Sequence, residues 1–153
     1  MEEPEVAIRP MRRQDLRRVH EIELASFPVP WSFNALRGEL SNDVAYYSVI
    51  EVDNQVAGYA GMWVLFDEAH ITNVAIDKPY RGHGYSRRLM LHMIETARQL
   101  GASRMTLEVR RSNEVAKSLY ASLGFVQKGV RRGYYSNNKE DALIYWANID
   151  NND

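Results

Sequence analysis

The chain has 153 residues, a formal net charge of −1 and no cysteine. That length suits one domain built on one core, and the lack of cysteine excludes disulfides, thiolate metal sites and a cysteine nucleophile. The near-zero charge excludes a global basic field for nucleic acid, although arginine pairs recur at Arg12-Arg13, Arg17-Arg18, Arg87-Arg88, Arg110-Arg111 and Arg131-Arg132.

The opening Met1-Glu2-Glu3-Pro4-Glu5 is acidic where a signal peptide would be basic and then apolar. No apolar run approaches the ~20 residues of a membrane span. A soluble, cytoplasmic protein that acts as a monomer without nucleic acid or membrane is the expectation. Val6, Ile8 and Pro10 predict a short opening strand. Leu16, Val19, Ile22 and Leu24, set among charges, predict a one-sided helix that Pro28 and Pro30 break. Ser32 is placed to cap a second helix with Phe33, Leu36 and Leu40 inward, ending at Asn42-Asp43.

The composition then turns to Tyr, Val and Ile. Ala45 to Val52 reads as a strand, Asp53-Asn54 as a turn and Val56 to Phe66 as the hairpin partner. Asp67-Glu68 is expected to turn the chain again into a strand over His70 to Ile76. After a glycine-containing loop, Leu89, Met90, Met93, Ile94, Ala97 and Leu100 form the apolar stripe of a strong amphipathic helix, closed by Gly101. Met105 to Val109 reads as a strand. Asn113 to Leu123 reads as a helix, with Val115, Ala116, Leu119 and Tyr120 at helical spacing and Gly124 as its stop. Phe125 to Val130 and Ala142 to Ile149 read as closing strands. The expected unit is a single domain over 1–149 with a frayed polar tail over 150–153. No repeat or linker interrupts it.

The loop Arg81-Gly82-His83-Gly84-Tyr85-Ser86 lies between a strand and a helix. Glycine permits positive φ and close ligand approach, and a helix start offers free N–H groups to a phosphate. Arg81, Arg87 and Arg88 add positive charge. A P-loop is excluded because no Gly-Lys-Ser/Thr follows the spacer. A dinucleotide fingerprint would need glycine where Arg87 stands, and the preceding strands form hairpins rather than a βαβ unit. Residues alone leave a phosphate site and a plain turn with a helix cap both open.

The segment Arg81-x-x-Gly84-x-Ser86 resembles the acyl-CoA pyrophosphate signature of the GNAT acetyltransferases, Gln/Arg-x-x-Gly-x-Gly/Ala, from which Ser86 departs at the last position. The order of elements resembles that family over nearly the whole chain. Further segments resemble the RimI-type ribosomal-protein alanine N-acetyltransferases. They are Phe27-Pro28-Val29-Pro30-Trp31-Ser32, Asn73-Val74-Ala75-Ile76, Leu107-Glu108-Val109-Arg110-x-Ser112-Asn113, Leu119-Tyr120-x-x-x-Gly124-Phe125, Arg131-Arg132-x-Tyr134-Tyr135 and Glu140-Asp141-Ala142. The resemblance implies a mixed α+β fold: a central twisted sheet of six to seven strands, about four helices, and a splay that holds acetyl-CoA. It further implies transfer of the acetyl group to a protein's N-terminal amine, with a ribosomal small-subunit protein as the partner.

Such a transfer needs a base for the ammonium, a polarised carbonyl and a proton donor for the departing thiolate. Glu108 is the candidate base. From residues alone a structural carboxylate paired with Arg110 or another Arg is the preferred reading; the resemblance implies the base, and partial burial is expected to raise its pKa toward the working range. Tyr120 is the candidate acid. A lone Tyr on an apolar helix face is ordinarily core, and it is the resemblance that implies its role. Asn113 reads as a helix cap, to which the resemblance adds a cofactor contact. The resemblance also assigns acetyl-CoA to Val74, Ala75 and Ile76 through their backbones, and to Arg81, Gly82, His83, Gly84, Tyr85, Ser86 and Arg87 at the phosphates. Phe27, Trp31, Tyr134 and Tyr135 are candidate walls of a peptide cleft. The four histidines show no metal spacing, so no metal is expected. No Ser-His-Asp pattern is present, so direct transfer is expected rather than an acyl-enzyme. Lysine or polyamine acetylation, and a CoA-binding module without catalysis, remain alternatives.

Overall fold

A computed structural model describes residues 3–150, and among these the chain forms seven strands and four α-helices. In order they are β1 (Val6–Pro10), α1 (Leu16–Ser26), α2 (Phe33–Glu39), β2 (Ala45–Val52), β3 (Gln55–Leu65), β4 (Glu68–Ile76), α3 (Tyr85–Gln99), β5 (Arg104–Arg110), α4 (Glu114–Ser122), β6 (Val126–Arg131) and β7 (Ala142–Asn148). They make one sheet in the order β1-β2-β3-β4-β5-β7-β6. The β4–β5 pair is parallel, joined by the α3 crossover, while its neighbours are antiparallel. This is the expected mixed fold.

The sheet is covered on both faces, which is why β2 and β3 are apolar along most of their length. One core packs Leu89, Met90, Met93, Ile94 and Ala97 of α3 on Ile50, Ala60, Met62 and Leu107. The other packs Leu16, Val19, Ile22 and Leu36 of the first two helices on Tyr47, Val49 and Tyr59. Arg9 of β1 grips Asp15 with both guanidinium nitrogens, at 2.7 and 2.8 Å, and the Arg12 N–H adds a third bond at 2.7 Å. These bonds hold the Asp15 carboxyl below its ordinary range despite burial, and they fix where α1 begins.

On β3, Gly61 is required by close approach. A Cβ there would stand 2.3 Å from the Tyr47 ring, and that ring is pinned by its hydroxyl to Glu39 at 3.0 Å and Thr72 at 3.1 Å.

Several expectations are corrected. Leu24, Phe33, Leu40, Leu100 and Val115 were expected inward and are exposed. On the first two helices the inward positions beside Ile22 and Leu36 belong instead to Glu23 and Glu39, both buried. The reason is that each carboxylate has buried donors waiting for it, which a leucine could not satisfy. The β3–β4 turn falls one residue early. Phe66 takes a left-handed φ of 56° and is 95% exposed, so β4 already begins at Glu68. The polar tail is not loose at its first residue, because the Asp150 N–H bonds the Ser103 carbonyl at 3.2 Å; residues 151–153 lie outside the described residues. Gly101 does end α3 as expected, with φ +95° and the Ala102 N–H returning to Ala97 at 2.9 Å.

Candidate active site

The parallel pairing of β4 with β5 stops after Glu68↔Arg104, Ala69↔Met105 and His70↔Thr106. Beyond that rung the strands part, and a cavity of about 830 Å³ opens between them. Ile71 to Val74 of β4 and Leu107 to Arg110 of β5 form its floor. Asn113, Ala116 and Tyr120 close one side from α4. Phe27 and Trp31 from the α1–α2 loop, with Tyr134 and Tyr135 from the β6–β7 loop, form aromatic walls.

Glu108 faces this cavity with its side chain 16% exposed. Its Oε2 lies 2.7 Å from His70 Nε2 on the neighbouring strand. Burial pushes the carboxyl up, but the His70 hydrogen bond, the His70 charge and the Arg131 charge outweigh it, so the net shift is downward. This reverses the expectation of a raised pKa: the charged form gains more from its neighbours than burial takes away. Arg110 is not the partner of Glu108. It turns to the β6–β7 loop, bonding Asn137 at 2.9 Å and Asn138 and Glu140 at 3.3 Å, with its guanidinium 3.9 Å above the Tyr135 ring.

Tyr120 packs edge-on against Phe125 at 5.9 Å. Burial, and next the neighbouring Tyr135, push its hydroxyl up to about 12. The phenol is therefore protonated at every ordinary pH and always in its donor state, though less acidic than an ordinary tyrosine near ~10. Asn113 caps α4 by accepting the Ala116 N–H at 3.1 Å, and the residue also lines the cavity.

The glycine loop lies at the far end of β4 and does not line the cavity. Gly82 and Gly84 have φ of +83° and +79°, with open space where a Cβ would stand. Gly84 is the N-cap of α3 and no side chain caps that helix start, so its first amides face outward. Ser86 is half-buried in the first turn, and its small side chain leaves that approach clear. His83 and Arg87 are exposed and Tyr85 is buried, its ring 5.7 Å from that of His83. Arg81 donates to the Ile76 carbonyl at 2.8 Å, and Arg87 bonds Ser122 of α4, which ties the loop to its surroundings. Val74 lines the cavity, whereas the side chains of Ala75 and Ile76 are buried. The β5-facing edge of all three has no strand partner.

Sequence reasoning missed His70 and Glu23. Glu23 accepts from the Tyr59 hydroxyl, from the Asn73 amide at 3.3 Å and from the Trp31 N–H at 2.9 Å, so it fixes one aromatic wall to β3 and β4. The available signal was its position seven residues after Leu16, on the apolar stripe.

Residues 16–125 match the acetyltransferase (GNAT) family profile. The chain belongs to that family. A Bacillus subtilis protein provisionally named a ribosomal protein bS18-alanine N-acetyltransferase is 44% identical over 144 residues, covering 94% of this chain and 95% of the relative. The crystal structure of the ribosomal-protein-S18-alanine N-acetyltransferase from Escherichia coli superposes with a TM-score of 0.89 at 31% identity, over 95% of each chain. Ard1 from Thermoplasma volcanium shares the fold, with a TM-score of 0.87 at 24% identity over 94% of this chain and 97% of its own. Within this GNAT acetyltransferase, the parted strands and the uncapped start of α3 are the features on which an acyl donor can be fitted.

Proposed function

We propose that this acetyltransferase moves the acetyl group of acetyl-CoA to the N-terminal α-amine of a protein, namely the alanine end of a ribosomal small-subunit protein. The observation that carries the target is similarity along nearly the whole chain to proteins named for that activity. The cavity supports it, because its aromatic walls stand beside a carboxylate and a phenol, as a peptide N-terminus would require. In this reading the protein works in the cytoplasm as a monomer. None of its described helices is long and apolar enough to cross a membrane.

The residues present fit the donor. The glycine positions would hold its pyrophosphate against the N–H groups of the first turn of α3, with Arg81, His83, Tyr85, Ser86 and Arg87 around them. The free β4 edge at Val74, Ala75 and Ile76 would accept its amide arm as an added strand, with Asn113 beside it. The donor supplies a thioester carbonyl. Glu108, directly or through one water, takes a proton from the incoming ammonium. A free N-terminus titrates near ~8, so modest base strength suffices near neutrality. Tyr120 donates a hydrogen bond to the departing sulfur. A phenol held near 12 gives up its proton less readily than a thiol at ~8.5, so hydrogen bonding is the larger part of its role. Phe27, Trp31, Tyr134 and Tyr135 hold the first peptide residues.

The test is acetylation of peptides beginning with Ala against N-blocked peptides carrying a free Lys, followed by thiol release and mass spectrometry. Product on the Ala peptides alone is expected. Product only on the blocked peptides would refute the target, and binding of acetyl-CoA without turnover on any amine would leave a CoA-binding module. Glu108→Gln should lower kcat more than acetyl-CoA affinity, and Tyr120→Phe should slow the same step.

A further inference from the structure

His70 occupies the last paired rung of β4 and β5, where the strands begin to separate. Its Nε2 spans the gap to Glu108 at 2.7 Å. The ring is held from the other side as well. Trp63 of β3 packs edge-on against it at 6.3 Å and 87°, and the Trp63 indole N–H is anchored on Glu39 at 2.7 Å. The imidazole is therefore fixed in place by β3 and α2 on one flank and by the base on the other. The catalytic scheme above uses Glu108 and leaves this ring without a task.

We propose that His70 is the positioning residue of the base: its Nε2–H holds one carboxylate oxygen of Glu108 so that the other meets the substrate amine. The proposal deepens the reading of Glu108 as the base and rests on it. Glu108 carries a negative charge that attracts the ammonium and takes its proton onto the free oxygen. That proton leaves to solvent through the cavity, and His70 keeps its own Nε2 proton throughout.

Arg131 of β6 adds a positive charge toward Glu108, and the His70 hydrogen bond is the contact that fixes the orientation of the carboxylate.

Steady-state kcat and KM for an Ala-starting peptide and for acetyl-CoA test this in five proteins: wild type, H70A, H70Q, E108Q and H70A/E108Q. A charge-assisted hydrogen bond of this kind is worth about tenfold or more. H70A should therefore lower kcat about tenfold while leaving KM for acetyl-CoA unchanged. H70Q puts an amide N–H where Nε2 stands and should recover most of that loss. H70A/E108Q should be no slower than E108Q. H70A with the wild-type rate overturns the proposal, as does an H70Q no faster than H70A or full additivity in the double variant. E108Q at full rate brings down the base reading, and this proposal with it. A slow E108Q beside an unaltered H70A overturns the proposal alone.

Discussion

The substitution Arg110→Lys probes how the peptide wall is held. Arg110 lies on β5, and its guanidinium reaches the β6–β7 loop over residues 132–141, which carries Tyr134 and Tyr135. Three kinds of contact are involved: the stack on Tyr135 at 3.9 Å, bonds to the Asn137 and Asn138 amide oxygens at 2.9 and 3.3 Å, and the pair with Glu140 at 3.3 Å. Lysine keeps the charge opposite Glu140, so that pair drops out of the difference. It loses the planar stack, about 1 kcal/mol at a half-buried site, and one of the two amide bonds, about 1 kcal/mol net. The sum, about 2 kcal/mol, corresponds to about thirtyfold in the equilibrium constant for ordering the loop. Peptide kcat/KM should fall by up to that factor. Acetyl-CoA affinity, followed by calorimetry, should stay within about twofold, because its proposed contacts lie at the start of α3 and on the β4 edge. A peptide kcat/KM within threefold of wild type would refute the loop-clamp reasoning, as would a loss confined to acetyl-CoA binding.

Stability offers three further checks. Gly61→Ala drives a methyl into the pinned Tyr47 ring; overpacking plus a weakened hydroxyl bond should cost about 3 kcal/mol and lower Tm by about 6–12 °C, whereas Gly38→Ala on the exposed face of α2, with nothing within 4 Å, should stabilise by about 0.5–1 kcal/mol. Urea titration of both separates close packing from helix propensity, and equal effects would contradict it. Asp15 has its folded pKa depressed by Arg9, so its contribution is fully present above its unfolded value near ~3.9 and is lost as pH falls through the folded value; Asp15→Asn should lower stability at neutral pH and flatten the acid side of the stability profile, and an unchanged acid slope would exclude the pair as its origin. Glu23→Ala leaves the Tyr59 hydroxyl, the Asn73 amide and the Trp31 N–H without their acceptor and should cost about 3 kcal/mol or more, while Glu23→Gln, which keeps a carbonyl oxygen, should cost clearly less by thermal unfolding.

The elements were legible where a residue's neighbours in sequence decide its state. Richness in Tyr, Val and Ile between turn signals marked β2 and β3, the three-and-four stripe marked α3, and Gly101 and Gly124 marked helix ends through local backbone demands. The candidate site was legible as separate residues: Glu108, Tyr120, Asn113, Val74 and the four aromatic wall residues all line one cavity. Their mutual arrangement was not legible. His70 and Glu108 meet across a parallel register that the α3 crossover sets, and periodicity carries no record of such a register. Nothing local marked Glu23 and Glu39 as buried, because charge ordinarily means exposure. Their burial is decided by Tyr59, Asn73, Tyr47 and Trp63, donors far away in the chain. The pKa of Glu108 went the opposite way to expectation for the same reason, since burial is predictable from a strand pattern and a cross-strand histidine is not.

The three rungs joining β4 to β5 also divide the sheet into two mechanical bodies. The first four strands and the last three are stitched by this short zipper, and above it the seam stays open. A donor lying along the free edge of Val74 to Ile76 would act as a crossbar between the bodies, supplying backbone bonds that the chain itself omits. Occupancy then becomes part of the architecture. At a hundred times its dissociation constant a ligand adds about 2.7 kcal/mol to the folded state. Slowed amide exchange should appear first along that seam, on both of its banks, rather than at the glycine loop proposed to hold the phosphates.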